Sequence, residues 1–481
     1  MSHKRPLGVG LLVLVTFVTV APVEAAKNVI LMVADGAGYN TWLAASMYQG
    51  RMGQQVYDQP GWVRLSCTTY PMNLSHKPTG NSEQNPAVVY DPIKAWDATP
   101  GKSLLTSFVG YGYLKVTPTD SAAAATALAS GQRTYNNAIN WSNGNRPMTG
   151  QTIAELAKVQ GKRVGVITSV QWSHATPAGL GGAHNVSRDN YSHIAKEMLT
   201  ATWLDVIMGA GNPDFDDNGQ PLPEAMKREY KWVGDQQTWE SLKTDRLPWK
   251  LIESCGDFEK LASGATPAKV LGTAQAASTL QQKRGKGLVT IARNKLAPPA
   301  APYAMPRNQN VPSLAAMSRA AINCLDDEPQ GFFLMIEGGA VDWANHENEP
   351  GRLIEEQIDF LQAVDAVVAW VEKHSSWDET LLILTADHEC GLLWGPDSAK
   401  VAFQPLVDHG KGKLPGMRHN AFGHSNSLVP LYARGAGATR FNASVRGRDP
   451  KAAEVWKISG QYIDNTDVFR VMRAEVEQKA E

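Results

Sequence analysis

An excess of either charge is missing from this chain: 46 Lys and Arg stand against 47 Asp and Glu, a net charge of -1 over 481 residues. No global field would draw in nucleic acid or an anionic membrane, so neither is expected as a partner, and any anion must be held by a local site. Cysteine is scarce as well, with Cys67, Cys255, Cys324 and Cys390 alone. None sits in a C-x-x-C, and their spacing is not that of a zinc cluster. Export would permit disulfides, and four cysteines leave three pairings open, with buried free thiols as the alternative. Internal repeats are absent. Long apolar runs are nearly so: only Leu7 to Ala21 qualifies. A basic start precedes it and the small residues Val23 and Ala25 follow, so residues 1–26 read as a secretory signal cleaved near Ala25 or Ala26. The run is short for a bilayer span, which makes an uncleaved anchor the lesser alternative. Export places the mature protein in a periplasm or in the medium.

Hydrophobic residues make up 43% of the chain, enough for a large core. Four apolar, β-rich runs share a feature at their C-terminal ends. Asn28–Ala34 runs into Asp35, Arg163–Val170 leads to Ser173-His174-Ala175-Thr176, Phe332–Ile336 ends in Glu337, and Leu381–Ala386 ends in Asp387-His388. Uninterrupted apolar runs of this length predict strands buried on both faces. Helical patterns between them, Thr152–Gln160 and Arg352–Lys373 among them, predict an α/β fold: a large, mostly parallel sheet with helices on both faces. Such sheets bind ligands beyond the carboxyl ends of their strands, where this chain has placed acids and histidines. Residues 27–481 are expected to form one domain. Gly391–Phe422, rich in Gly, Pro and Lys, is expected to be an irregular insertion near the site, and Leu296–Val311 a surface loop. Asp214–Gly219 imitates the start of a calcium loop, but Ala225 stands where the bidentate glutamate belongs, so an acidic turn is the better reading.

The stretch TPTDSAAAATALASG puts Asp120-Ser121 at the start of an alanine-rich helix. Both residues suit a helix cap, and a serine there also lies where exposed N–H groups favour an alkoxide or a phosphate. Asp342 and His346 are four apart, on one face of a helical turn, which suits zinc or an exposed charge pair. Asp387-His388 and His424 repeat that chemistry. The hard oxygens of Glu337, Asp35 and Thr176 would suit magnesium instead.

NVILMVADGAG, TDSAAAATALASG, HATPAG followed by Arg188, IEGGAVDWANH, LTADHE and GHSNSLVPLYA, in this order, together resemble the alkaline phosphatase family over nearly the whole mature chain, as does the closing YIDNTDVFRVM. The resemblance implies hydrolysis of small-molecule phosphate monoesters through a phosphoserine on Ser121. It implies two zinc ions, one held by Asp342, His346 and His424 and the other by Asp35, Asp387 and His388, and one magnesium held by Asp35, Thr176 and Glu337. Arg188 matches the arginine that grips the phosphate with a planar fork. Family members are often dimers, so the resemblance admits a homodimer.

Two departures stand beside these matches. His174 occupies a position near the magnesium where the well-known bacterial form has aspartate, and a neutral or cationic ring there implies weaker magnesium binding. Trp343 stands where that bacterial form has a lysine near the phosphate and animal forms a histidine, which implies weaker phosphate binding and faster release. A phosphodiesterase or sulfatase of the same superfamily is the nearer rival, yet Cys67-Thr68-Thr69-Tyr70-Pro71 is not the sulfatase motif and the magnesium residues are kept. An exported metal-binding protein that has lost catalysis is the other, although Ser121 and Arg188 are both present.

Overall fold

The computed structural model describes residues 25–99, 110–285 and 301–477. The apolar run of the signal segment and the first residues of the Leu296–Val311 loop lie outside these. In chain order the strands are β1 (Asn28–Val33), β2 (Val63–Thr68), β3 (Arg163–Gln171), β4 (Val206–Ala210), β5 (Lys250–Ile252), β6 (Val270–Thr273), β7 (Phe332–Glu337) and β8 (Thr380–Thr385). Four short pieces follow, β9 (Glu389–Cys390), β10 (Leu393–Trp394), β11 (Arg418–His419) and β12 (His424–Ser425), and then β13 (Val429–Gly435), β14 (Gly447–Arg448) and β15 (Gln461–Asp464).

Eleven of these strands form one sheet in the order β14-β15-β2-β13-β8-β1-β7-β3-β4-β6-β5. The four runs legible in the sequence are its contiguous centre, β8-β1-β7-β3, and all pair in parallel. Every residue of β1, β7 and β8 is buried, which is why these strands read as unbroken apolar runs. Antiparallel pairing enters only through β13, between β8 and β2, and at the β14-β15 edge.

The long helix Pro350–His374 starts at a proline, whose missing N–H costs nothing in the first turn, and buries Leu353, Ile354, Phe360, Leu361, Val364 and Val367. Each such side chain contributes roughly 1.5–3 kcal/mol by leaving water. The helix Ile153–Val159 opens with a capping box: Thr152 accepts from the Glu155 N–H and Glu155 accepts from the Thr152 N–H. Residues 391–422 carry the small ribbon β10-β11, and Gly391 and Gly423 close the segment with a backbone hydrogen bond of 3.0 Å. All four cysteines are free thiols. No helix among the described residues is long and apolar enough to cross a membrane.

Candidate metal centre

The carboxyl ends of β1, β7, β3 and β8 deliver Asp35, Glu337, the His174–Thr176 turn and Asp387-His388 into one buried region. The chain turns sharply just after Asp35. Gly36 adopts φ +69°, and a Cβ there would lie 2.7 Å from Asp342 Oδ1, so only glycine lets the two acidic segments meet. The Gly36 N–H donates to Asp387 Oδ1 at 3.1 Å, fixing that carboxylate.

Two groups of ligand atoms result. Asp342, His346 and His424 form one, and Asp35, Asp387 and His388 the other. In the first, His346 Nε2 lies 3.2 Å from Asp342 Oδ2 and His424 Nε2 lies 3.5 Å from Asp342 Oδ1. His346 and Asp342 share one face of the helix Ala340–His346, as their spacing predicts. His424 arrives on β12, paired antiparallel with β9. In the second group, His388 Nε2 is 3.1 Å from Asp387 Oδ2 and 3.5 Å from Asp35 Oδ1. The His388 and His424 rings stack at 3.6 Å, which brings the two groups together.

The donor chemistry fits divalent metal ions. His424 Nδ1 donates to the Thr119 carbonyl and His346 Nδ1 to the Phe422 carbonyl, so both rings direct an Nε2 lone pair inward. Those two nitrogens are 3.0 Å apart, close enough to share a proton or to converge on one metal ion. Both Asp35 oxygens, Asp342 Oδ1, Asp387 Oδ2, Glu337 Oε1 and Thr176 Oγ1 are buried without a hydrogen-bond partner. Buried polar atoms are nearly always satisfied, so this concentration of orphans marks ligands. Asp342, His346 and His424 could hold a zinc ion, as could Asp35, Asp387 and His388. Glu337 accepts from Thr168 Oγ1 and stands beside Thr176 and Asp35, an oxygen set that could hold magnesium.

The electrostatics express the same crowding. Burial, then the neighbouring Asp387, Asp342 and Glu337, push Asp35 well above the usual carboxylate range. Burial lifts Glu337 to about 7, and burial together with Asp342 lifts Asp387 to about 6. Asp342 is the exception: burial opposes its charge, but His346, His424 and His388 hold it well below the ordinary value. Burial likewise opposes the charged form of His346, yet Asp342 lifts it to about 9, whereas burial lowers His388 and His424 to about 4.

Ser121 is the first residue of the helix Ser121–Ser130, and its Oγ lies 3.1 Å from His388 Nε2. The cap is Asp120, whose Oδ1 accepts from the Ala123 and Asn137 N–H groups, both at 3.0 Å. The serine is thereby relieved of the capping task that the sequence alone left open between the two residues. The other oxygen of Asp120 accepts from Arg188 Nη1 at 3.1 Å, so one carboxylate aligns both the serine's helix and the guanidinium. Arg188 Nη2 is 3.4 Å from His174 Nε2, and His174 is held at about 3 by burial and by Arg188. Trp343 follows Asp342 and packs 5.9 Å from the His174 ring.

Sequence reasoning thus named residues that the fold assembles, but it overlooked three others. Asp120 was noted only as a cap. Thr168, on β3 in register with Glu337, orients that carboxylate. Cys390 lies with Asp342, His346 and His424, brought there by its pairing with His424 across β9 and β12. No local pattern announces Cys390, because its role depends on a contact made 34 residues away. The calcium-loop alternative is resolved toward a turn: Asp214 accepts from Arg228, Trp239 and Lys243, and Asp217 from Ser278.

The class defined by these features is an α/β protein with two buried groups of candidate metal ligands at the carboxyl ends of a mostly parallel sheet, beside a serine and an arginine. Comparison with known proteins makes it particular. A family model described as alkaline phosphatase matches residues 114–413. Alkaline phosphatase H of Pseudomonas aeruginosa is 32% identical over 392 residues, covering 76% of this chain and 70% of that protein. Alkaline phosphatase 3 of Bacillus subtilis is 33% identical over 279 residues, 57% of this chain, so the chain spans about half of that relative, 49%. A variant of the alkaline phosphatase of the Antarctic bacterium TAB5, solved with Mg bound, superposes with a TM-score of 0.60 at 21% identity, covering 95% of this chain and 99% of that one. The chain belongs to the alkaline phosphatase family.

Proposed function

We propose that this protein hydrolyses phosphate monoesters through a phosphoserine on Ser121. The observation that carries the reading is the placement of Ser121 Oγ, 3.1 Å from His388 Nε2, with Arg188 held beside it by Asp120. Arg188 presents a planar pair of donors that matches two non-bridging phosphate oxygens, and Asp120 stops the fork from turning away. The first N–H groups of the Ser121–Ser130 helix favour negative charge where the phosphate and the serine alkoxide meet. Ser121 Oγ attacks phosphorus as the bond to the leaving oxygen breaks, and water then cleaves the phosphoserine to free inorganic phosphate and serine. Two zinc ions and one magnesium, when bound by the residues named above, supply Lewis acidity for the attacking and leaving oxygens. Burial excludes competing water and strengthens the field at the serine.

The N-terminal segment supports export. The Ala26 nitrogen lies 3.0 Å from the buried Glu475 Oε2, so cleavage after Ala25 would place a new α-ammonium against a waiting carboxylate. An intact mass of secreted protein that begins at Ala26 is expected; a start at Lys27 would reject the pairing with Glu475, and a start at neither residue would reject the cleavage site.

The test of activity is hydrolysis of p-nitrophenyl phosphate by metal-replete protein and by Ser121→Ala, with zinc and magnesium counted in both. Loss of at least about a thousandfold in kcat is expected, as for removal of a nucleophile elsewhere. Bound metal without turnover in the wild type would mean that the centre serves binding alone.

A further inference from the structure

The Arg188 side of the site carries a row of aromatic rings. The Tyr191 and Trp232 ring centres are 4.1 Å apart, Trp232 and His174 6.1 Å, and His174 and Trp343 5.9 Å. The row follows the guanidinium, since His174 contacts Arg188 and Tyr191 lies three residues beyond it on the following helix. Its two tryptophans are not core residues. Trp42, Trp172, Trp239 and Trp249 are at most 2% exposed, whereas Trp232 and Trp343 keep part of their rings open.

Both open rings are held in place. Ser173 Oγ donates to the Trp232 carbonyl at 2.8 Å, tying that loop to the end of β3. Trp343 is carried by the same short helix as Asp342, and Lys283 Nζ lies 5.3 Å from its ring centre, a cation–π contact that restrains it. Rigid, partly exposed aromatic side chains beside a buried anion grip provide contact area at small entropic cost. Trp343 directly follows Asp342, one of the candidate metal ligands, so the row ends beside the buried cluster.

We infer that this row is a docking wall for a planar leaving group, so that nucleoside 5′-monophosphates are preferred over aliphatic monoesters. The inference rests on the phosphomonoesterase reading above. A grip confined to the phosphate cannot discriminate leaving groups, whereas a base stacked on Trp232 or Trp343 lowers the barrier for nucleotides alone.

The experiment compares kcat/KM for adenosine 5′-monophosphate and ribose 5-phosphate, which release the same kind of primary alkoxide and differ by the base. Wild type should favour the nucleotide roughly tenfold, the worth of one stacked base. Trp232→Ala and Trp343→Ala should each bring that ratio toward one. Free adenosine, and not ribose, should compete with p-nitrophenyl phosphate in the wild type, a readout that needs no variant. A wild-type ratio near one, a ratio unchanged in both variants, or equal competition by ribose would overturn the wall. Failure to turn over either ester would instead overturn the phosphatase reading on which it stands.

Discussion

Asp214 and Asp35 both belong to acidic surroundings, and the two regions neutralise them in opposite ways. Asp214 is met by the Arg228 and Lys243 cations and the Trp239 indole, and its neighbour Asp217 accepts from the Ser278 hydroxyl. Asp35 has no such partner; around it stand Asp387, Asp342 and Glu337, with orphaned oxygens on all four. A third region, on the long helix, uses another device. Glu356 is buried beside Asp359 and Glu355, and burial first, then Asp359, lifts it to about 8, so it is protonated at neutral pH. A buried acid thus has three outlets: a protein cation, a proton or a metal. The first satisfies its oxygens within the chain, the second leaves Glu356 Oε1 alone without a partner, and around Asp35 orphaned oxygens gather on four acids at once.

The sharpest way to break this comparison is to remove one acid of each kind. Asp342→Asn should lower the metal content and lose at least about a thousandfold in kcat, because one of the carboxylates proposed to hold a metal is gone. Asp214→Asn should keep metal content and turnover and lose roughly 1–3 kcal/mol of stability, the cost of stranding its donors. Equal metal content in both variants, measured by elemental analysis, would erase the distinction between the two acidic regions.

Glu356→Gln tests the proton outlet. The folded form holds its proton up to about pH 8 while the unfolded chain releases it near pH 4.5, so the native state binds more protons between those values and stability declines as pH rises through them. Replacing the acid should therefore raise stability at pH 9 by up to about 5 kcal/mol and change little at pH 4. Denaturant midpoints at the two pH values check the sign, and a larger gain at pH 4 would contradict it.

Smaller effects are expected where the metal outlet is tuned rather than broken. His174→Asp adds a carboxylate beside Arg188, at the start of the turn that carries Thr176, and should tighten magnesium by about tenfold in a binding titration. Unchanged affinity would show that the neutral imidazole does not weaken the site. Trp343→Lys should lower the inhibition constant of inorganic phosphate a few-fold, as one added, partly exposed charge would. An inhibition constant equal to or above that of the wild type would count against Trp343 as the cause of easy release.

Legibility in the sequence followed the range of the interactions. The central strands could be read because burial on both faces removes polar residues from β1, β7 and β8, and Asp342 with His346 because helical periodicity places them together. The outer part of the sheet was harder. β2 alternates exposure at its start, and β13 carries Pro430 and partly open residues, so neither reads as a central strand. Asp120 gave a visible cap signal, but nothing local tells that its second oxygen holds Arg188, 68 residues away.

By itself, then, the sequence determined which strands lie at the heart of the sheet, which residue types end them, and the ligand kinds that a metal would meet, since periodicity and side-chain chemistry are local. The tertiary structure alone decided that His424 and Cys390 face each other, that Gly36 admits Asp342, that Asp120 serves both helix and guanidinium, and that the rings from Tyr191 to Trp343 lie in one row. Those juxtapositions arise from strand order and close approach between distant segments, which no periodicity within a segment encodes.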